Sequence, residues 1–380
     1  MSRFLKNSAL AAACAAAVLL GACSSTPERP KPTALEALPA ASTSAKPVWS
    51  QRVGGSSLPL RLVVAGDAVV AAGEDGQIAA YDLASGRERW KGTAGGRISA
   101  GIGSDGRYAS VVTRDNELVG FDNGKEIWRK TLRSRVVTAP LVAGERVFVQ
   151  GVDRVVLAFD AADGGKLWTF QRAGDPLTLL QPGLLQPVGN TLWVGVGPRL
   201  VALDPLDGNA RQDVIVASPR GTNEVERLAD IVGPAGRVDN ALCVRAFQTS
   251  VGCIQASAVS PSLRWSKAQA GSQGVAADAE VVVGADVNDR VLAWRFGSGD
   301  VAWRNDRLAY RGLTAPVIVG GKVAVGDGEG YVHLISRDDG RTLGRLSTDG
   351  SGFSVPPVAT ASGWLLTLTK SGQLEAWRID

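Results

Sequence analysis

The chain has 380 residues, long enough to bury roughly three quarters of its unfolded surface around a large core. Hydrophobic residues make up 45% and charged residues 21%, the balance of an ordinary globular protein rather than a disordered or low-complexity one. A formal charge of +4 is too small for a nucleic-acid surface, and a single His leaves no pair for a histidine-based metal site. The 46 Gly, set among many Val and 10 Trp, predict short strands and tight turns.

In chain order, residues 1–22 read as a signal peptide. Arg3 and Lys6 form a basic start, and ALAAACAAAVLL (9–20) is an apolar stretch too short for a comfortable membrane span. Leu20-Gly21-Ala22-Cys23 follows and resembles a bacterial lipobox, in which the Cys becomes the first residue and carries lipid. The alternative is an ordinary signal peptide with a chance Cys. Removing 1–22 takes away two cations and no acid, leaving a formal charge of +2. Several acyl chains on Cys23 would hold the protein firmly at a membrane surface. In lipoprotein sorting, Asp after the Cys favours the inner membrane, so Ser24 points to the outer one. Residues 23–47 are the lipidated Cys and a tether rich in Pro, Ala and Ser, without the aromatics to build a core.

From residue 48 the sequence repeats. AYDLASGRERW (80–90) returns as GFDNGKEIW (120–128), AFDAADGGKLW (158–168), ALDPLDGNARQ (202–212), AWRFGSGDVAW (293–303) and LISRDDGRTLG (334–344). The Trp position marks the phase at Trp49, Trp90, Trp128, Trp168, Gln212, Trp265, Trp303 and Gly344. A period of about 40 residues, filled with short alternating apolar runs, predicts four-stranded antiparallel propeller blades. The chain stops at AWRID, one strand short of a blade, and the missing strand is supplied by PVWSQRV around Trp49. An eight-bladed all-β propeller over 48–380, closed by its N-terminal strand, is therefore expected; an open array would leave end strands exposed.

The repeated motif resembles the tryptophan-docking motif of quinoprotein dehydrogenases, which oxidise alcohols or sugars with pyrroloquinoline quinone. Its chemistry here is structural: Asp bonds amides of its own turn, Gly takes positive φ, and Trp lays its ring on the next blade. The quinoproteins, as a family, need a base and a Ca²⁺ held by acidic and amide ligands, and many carry an adjacent Cys pair. This chain has no adjacent Cys pair, and its Asp residues sit mostly in repeat turns. Neither a cofactor nor a catalytic residue is expected; a quinone-dependent dehydrogenase is the competing reading, and an envelope adaptor with other partners is a third.

His333, in GYVHLISRDDG, lies on a predicted strand and reads as a packed residue rather than a ligand or base. Cys243 and Cys253, in ALCVRAFQTSVGCIQA, stand equidistant from a turn centred on Gln248, so a structural disulfide is expected in an oxidising compartment, with two buried thiols as the alternative.

Leu313 to Val317 (LTAPV), GDGEGYVHLISRDDGR (326–341), SGFSVPPV (351–358) and EVERLADIVG (224–233) resemble the BamB family, lipoprotein subunits of the outer-membrane β-barrel assembly machinery. The resemblance covers essentially all of 23–380. It implies a non-enzymatic scaffold on the periplasmic face of the outer membrane. Such a scaffold binds the POTRA domains of BamA, the barrel-forming subunit, and helps deliver unfolded outer-membrane proteins. It also implies a contact in two loop regions. In the first, the family's Leu-x-Leu-Arg stands here as Leu177-Thr178-Leu179-Leu180; in the second, Arg-Leu-x-Asp-Val-Asp stands as Arg227-Leu228-Ala229-Asp230-Ile231-Val232. One Arg and one Asp are thus replaced, as if a polar pair had become an apolar one. Read without the family, DPLTLLQPGLLQP (175–187) is an apolar run punctuated by prolines, which marks either an interaction loop or the first strand of a blade. Leu177 and Leu179 are the expected anchors, with Arg227 and Asp230 fixing orientation.

Overall fold

The structure, a computed structural model, describes residues 30–38, 46–172, 177–219 and 221–379. Cys23, most of the tether, and Asp175 and Pro176 lie outside the described residues. The chain divides into a unit Met1–Pro32 and a unit Thr33–Asp380; all strands belong to the second.

The strands form eight four-stranded antiparallel sheets, each a blade. Numbered along the chain, blades 1 to 7 span 63–93, 98–131, 141–170, 185–215, 231–268, 276–305 and 317–347. Blade 8 takes three strands from 358–378 and its fourth from Trp49–Arg52. The closing register pairs Trp49 with Ala376 and Arg52 with Gln373. Val48 and Val53 extend it by donating to the carbonyls of Ala376 and Gly372, at 2.7 and 2.8 Å. Closure therefore pairs the third strand of blade 8 on both sides, and the expected eight-bladed architecture is what the chain adopts.

Alternation within strands explains the core. The middle strands of each blade are buried on both faces, as in Ala68–Ala72 and Val281–Ala285, because each blade is sandwiched between two others. Outer strands are more open, and in Glu88–Thr93 only alternate residues, Trp90 and Gly92, are half-buried.

The six marker tryptophans sit on outer strands and reach across to the following blade. Nε1 of Trp49 donates to Leu83 O, Trp128 to Ala161 O, Trp168 to Pro205 O, Trp265 to Phe296 O and Trp303 to Arg337 O, at 2.6–3.1 Å. Each ring also rests on a glycine in the last turn of that following blade: Trp49 on Gly86, Trp90 on Gly124, Trp128 on Gly164, Trp168 on Gly208, Trp265 on Gly299 and Trp303 on Gly340. At Gly86, φ is +68° and a Cβ would lie 2.6 Å from the Trp49 ring, so the position needs glycine twice over. Trp90 stacks without the carbonyl bond, because blade 2 closes in a two-residue Asn123-Gly124 turn with φ of 46° and 80°.

This pairing accounts for the two markers that are not Trp. Gln212 of blade 4 faces blade 5, whose last turn, ASAVSP (256–261), contains no glycine. Gly344 of blade 7 faces blade 8, whose fourth strand is Trp49–Arg52, so no turn joins its third and fourth strands. A tryptophan is present where the next blade offers a glycine platform, and absent where it does not.

Candidate functional site

Three loops meet at one end of the ring. They are residues 177–184 of the connection from blade 3 to blade 4, residues 221–230 of the connection from blade 4 to blade 5, and the loop 151–155 inside blade 3. Asp230 joins them. One carboxylate oxygen accepts from Arg154 Nη2 at 2.9 Å, and the other accepts from the Leu179 amide at 3.0 Å. Arg154 Nη2 also donates to Leu177 O at 3.2 Å. The Asp230 carbonyl accepts from Phe247 N at 2.9 Å, which ties in blade 5. Arg154 holds a left-handed φ of +64°, a conformation tolerated where such contacts over-determine it. The Arg154 and Asp230 side chains are only 13% and 15% exposed, so removing either charge strands the other in a poorly solvated place.

A cavity of about 40 Å³ lies under this pair, lined among others by Gln150, Arg154, Leu179, Gln181 and Asp230. Gln150 Nε2 donates to Gly195 O at 2.6 Å, linking blade 3 to blade 4, while Oε1 of Gln150 and Oε1 of Gln181 have no protein partner. Gly183 N donates to Thr138 Oγ1 at 2.9 Å and Gly233 N to Pro182 O at 3.1 Å, so the base of the site is knitted across blades 3, 4 and 5.

The expected contact residues fall at different heights. Leu177 and Leu179 are half-buried and precede the first strand of blade 4, whose core leucines are Leu184 and Leu185. Leu180 stands out at 61% exposure. Arg227 is exposed, and its side chain has no partner among the described residues. Val232 is buried at the start of blade 5, so the Asp-to-Val change relative to the family pattern falls inside the core and does not form a surface pair with Leu180. Val225, 72% exposed, joins this surface and was not singled out from the sequence. Nothing in its local pattern sets it apart; a turn in which Glu226 accepts from Thr222 N and donates its own amide to Asn223 Oδ1 turns it outward.

Cys243 and Cys253 pair directly across their hairpin, Cα atoms 4.0 Å apart, and are joined by a disulfide; Gln248 at the turn has φ +52°. His333 is buried, its Nε2 2.8 Å from Asp327 Oδ2, which also accepts from Arg311 Nε at 2.8 Å. Burial opposes ionisation of Asp327, but His333, the Tyr331 amide and Arg311 together hold its carboxyl below the usual range. Among the described residues no group of three His, Cys, Asp or Glu is arranged to hold a metal ion.

A sequence profile described as "Outer membrane protein assembly factor BamB" matches residues 36–97 and 74–305. The protein of that name from Bordetella pertussis is 37% identical over 354 residues, covering 92% of this chain and 91% of its own. The chain belongs to the BamB family. Among solved structures, BamB from Moraxella catarrhalis superposes with a TM-score of 0.76 at 23% identity, covering 88% of this chain and all of its own. Quinohemoprotein alcohol dehydrogenase from Comamonas testosteroni superposes with a TM-score of 0.64 at 13% identity, covering 88% of this chain and 76% of its own, which shows a shared propeller fold. BamB membership makes the chain an outer-membrane protein assembly factor and accounts for the propeller and its quinoprotein-like repeats.

Proposed function

We propose that this BamB-family protein is a non-enzymatic scaffold lipoprotein of the β-barrel assembly complex. Cys23 carries the lipid, the propeller stands on the periplasmic face of the outer membrane, and the loop face of blades 3 to 5 binds POTRA domains of BamA. The observation that carries this reading is the loop face itself. Leu180 and Arg227 are presented outward on loops braced from beneath by Asp230 and Arg154. An apolar side chain held rigid at the surface is what a partner's pocket can bury at low entropic cost. In this reading Leu180 is the apolar contact and Arg227 steers the partner. Asp230 acts through the two loops it fixes, together with half-buried Leu177 and Leu179. Exposed outer strands of the blades offer edges on which unfolded outer-membrane strands can pair.

Pull-down of BamA from detergent-solubilised envelope tests the site. Leu180→Asp and Arg227→Glu should each lower recovery about tenfold, a loss of roughly 1.4 kcal/mol. Asp230→Ala should lower it while raising hydrogen exchange at the Leu179 amide. Undiminished recovery with all three variants, or another protein as the dominant partner, would reject the assignment. The competing dehydrogenase reading predicts dye-linked oxidation of alcohols with added quinone and Ca²⁺; none is expected.

A further inference from the structure

The segment before the propeller is not a free tether along its whole length. Thr33–Leu38 lies on blades 6 and 7 without forming a strand. The Thr33 amide donates to Ala309 O at 3.0 Å, and Arg311 Nη1 donates to Thr33 O at 2.8 Å. Arg345 Nη2 donates to Glu36 O at 3.1 Å, the Glu36 carboxylate pairs with Arg307, and the Thr342 side chain bonds it as well. Leu35 and Leu38 are half-buried. Arg311 is no loose surface cation: its side chain is 2% exposed and is locked by Asp327, which His333 also binds. The segment thus docks on a pre-built polar cluster, and it covers that cluster.

Docking changes the leash. Cys23 and Thr33 are ten residues apart, a reach of at most about 35 Å, whereas a tether free as far as Trp49 would reach about 90 Å. We propose that Thr33–Leu38 is a docked strap that holds the blade 6 and blade 7 side of the propeller against the membrane surface. That orientation leaves the loop face of blades 3 to 5, farther round the ring, turned towards protein partners. The orientation rests on lipid attachment at Cys23 as read above; the docking does not.

The full-length protein, reconstituted in phosphatidylethanolamine vesicles that carry a headgroup-linked quencher, reads both parts. Fluorophores are placed by Asp339→Cys on blade 7 and Leu206→Cys on blade 4, both exposed turns. Quenching should be at least about threefold stronger at the blade 7 probe. The charge reversal Glu36→Arg, facing Arg307 and Arg345, should abolish the difference, and adding Arg307→Glu should restore part of it. Hydrogen exchange should show the Thr33 amide protected in the unaltered protein and at free-peptide rates in the Glu36→Arg variant. Equal quenching at the two probes, or free-peptide exchange over 33–38 in the unaltered protein, overturns the proposal. A protein that stays off the vesicles yet protects Thr33 overturns the lipid anchor and the orientation, while the docked strap stands.

Discussion

Glu375 is an acid placed where the fold gives it little help. It is 3% exposed on the third strand of blade 8, on the same strand face as Trp377. One oxygen accepts from Gln373 Nε2 at 2.7 Å, the other has no partner, and Asp349 adds a like charge. Burial, more than Asp349, pushes its carboxyl up to about 7. The folded state then holds a proton that the unfolded chain releases near the ordinary value of 4.5. Stability from this group is full below about pH 4.5 and is lost as pH rises towards 7. Glu375→Gln should flatten that slope and raise stability at pH 8 by about 1–3 kcal/mol, read by urea unfolding at pH 5 and pH 8. Arg245 is the opposite case. It is fully buried, with its charge answered by the carbonyls of Gln273, Gln269 and Ala285 at 2.8–3.0 Å. Arg245→Leu leaves three buried acceptors empty and should cost about 3 kcal/mol or more in the same assay.

At the scale of the blade, the contact between a Trp and the next blade's Gly is the joint of the ring. Gly86→Ala adds a Cβ 2.6 Å from the Trp49 ring at a φ of +68°, so both terms act against it. The expected loss is about 2–4 kcal/mol, combining left-handed backbone strain with overpacking, and appears as a lower midpoint of thermal unfolding. Trp303→Ala removes the same kind of joint from the other side and should cost about 3–5 kcal/mol. The sequence displayed the repeated Trp, the repeated Gly and a Trp ring directed at the next blade, but not that the ring comes to rest on that blade's Gly. That link is made through space, between residues 34 to 40 positions apart, and it alone explains why Gln212 and Gly344 break the pattern.

For the whole molecule, ring closure depends on four residue pairs between Trp49–Arg52 and Gln373–Arg378. Trp49→Ala should cost more than Trp303→Ala, because it weakens the closing strand as well as a joint. Faster proteolysis in blades 8 and 1 before global unfolding would display this; equal loss in both variants would argue against a special closure.

The sequence by itself determined the number of blades, their four-stranded make-up and the closing strand. Those features rest on local rules: period-2 alternation, turn residues at fixed offsets, and a repeat left one strand short. It also marked the stretches 177–180 and 227–232. The tertiary structure alone decided what each residue there does. It turned Leu180 outward and Val232 inward, and it spent Asp230 on Arg154 and the Leu179 amide. It also drew Thr33 and Glu36 onto arginines some 270 to 310 positions away. Such outcomes depend on which groups the closed ring brings together, and a linear pattern holds no record of that.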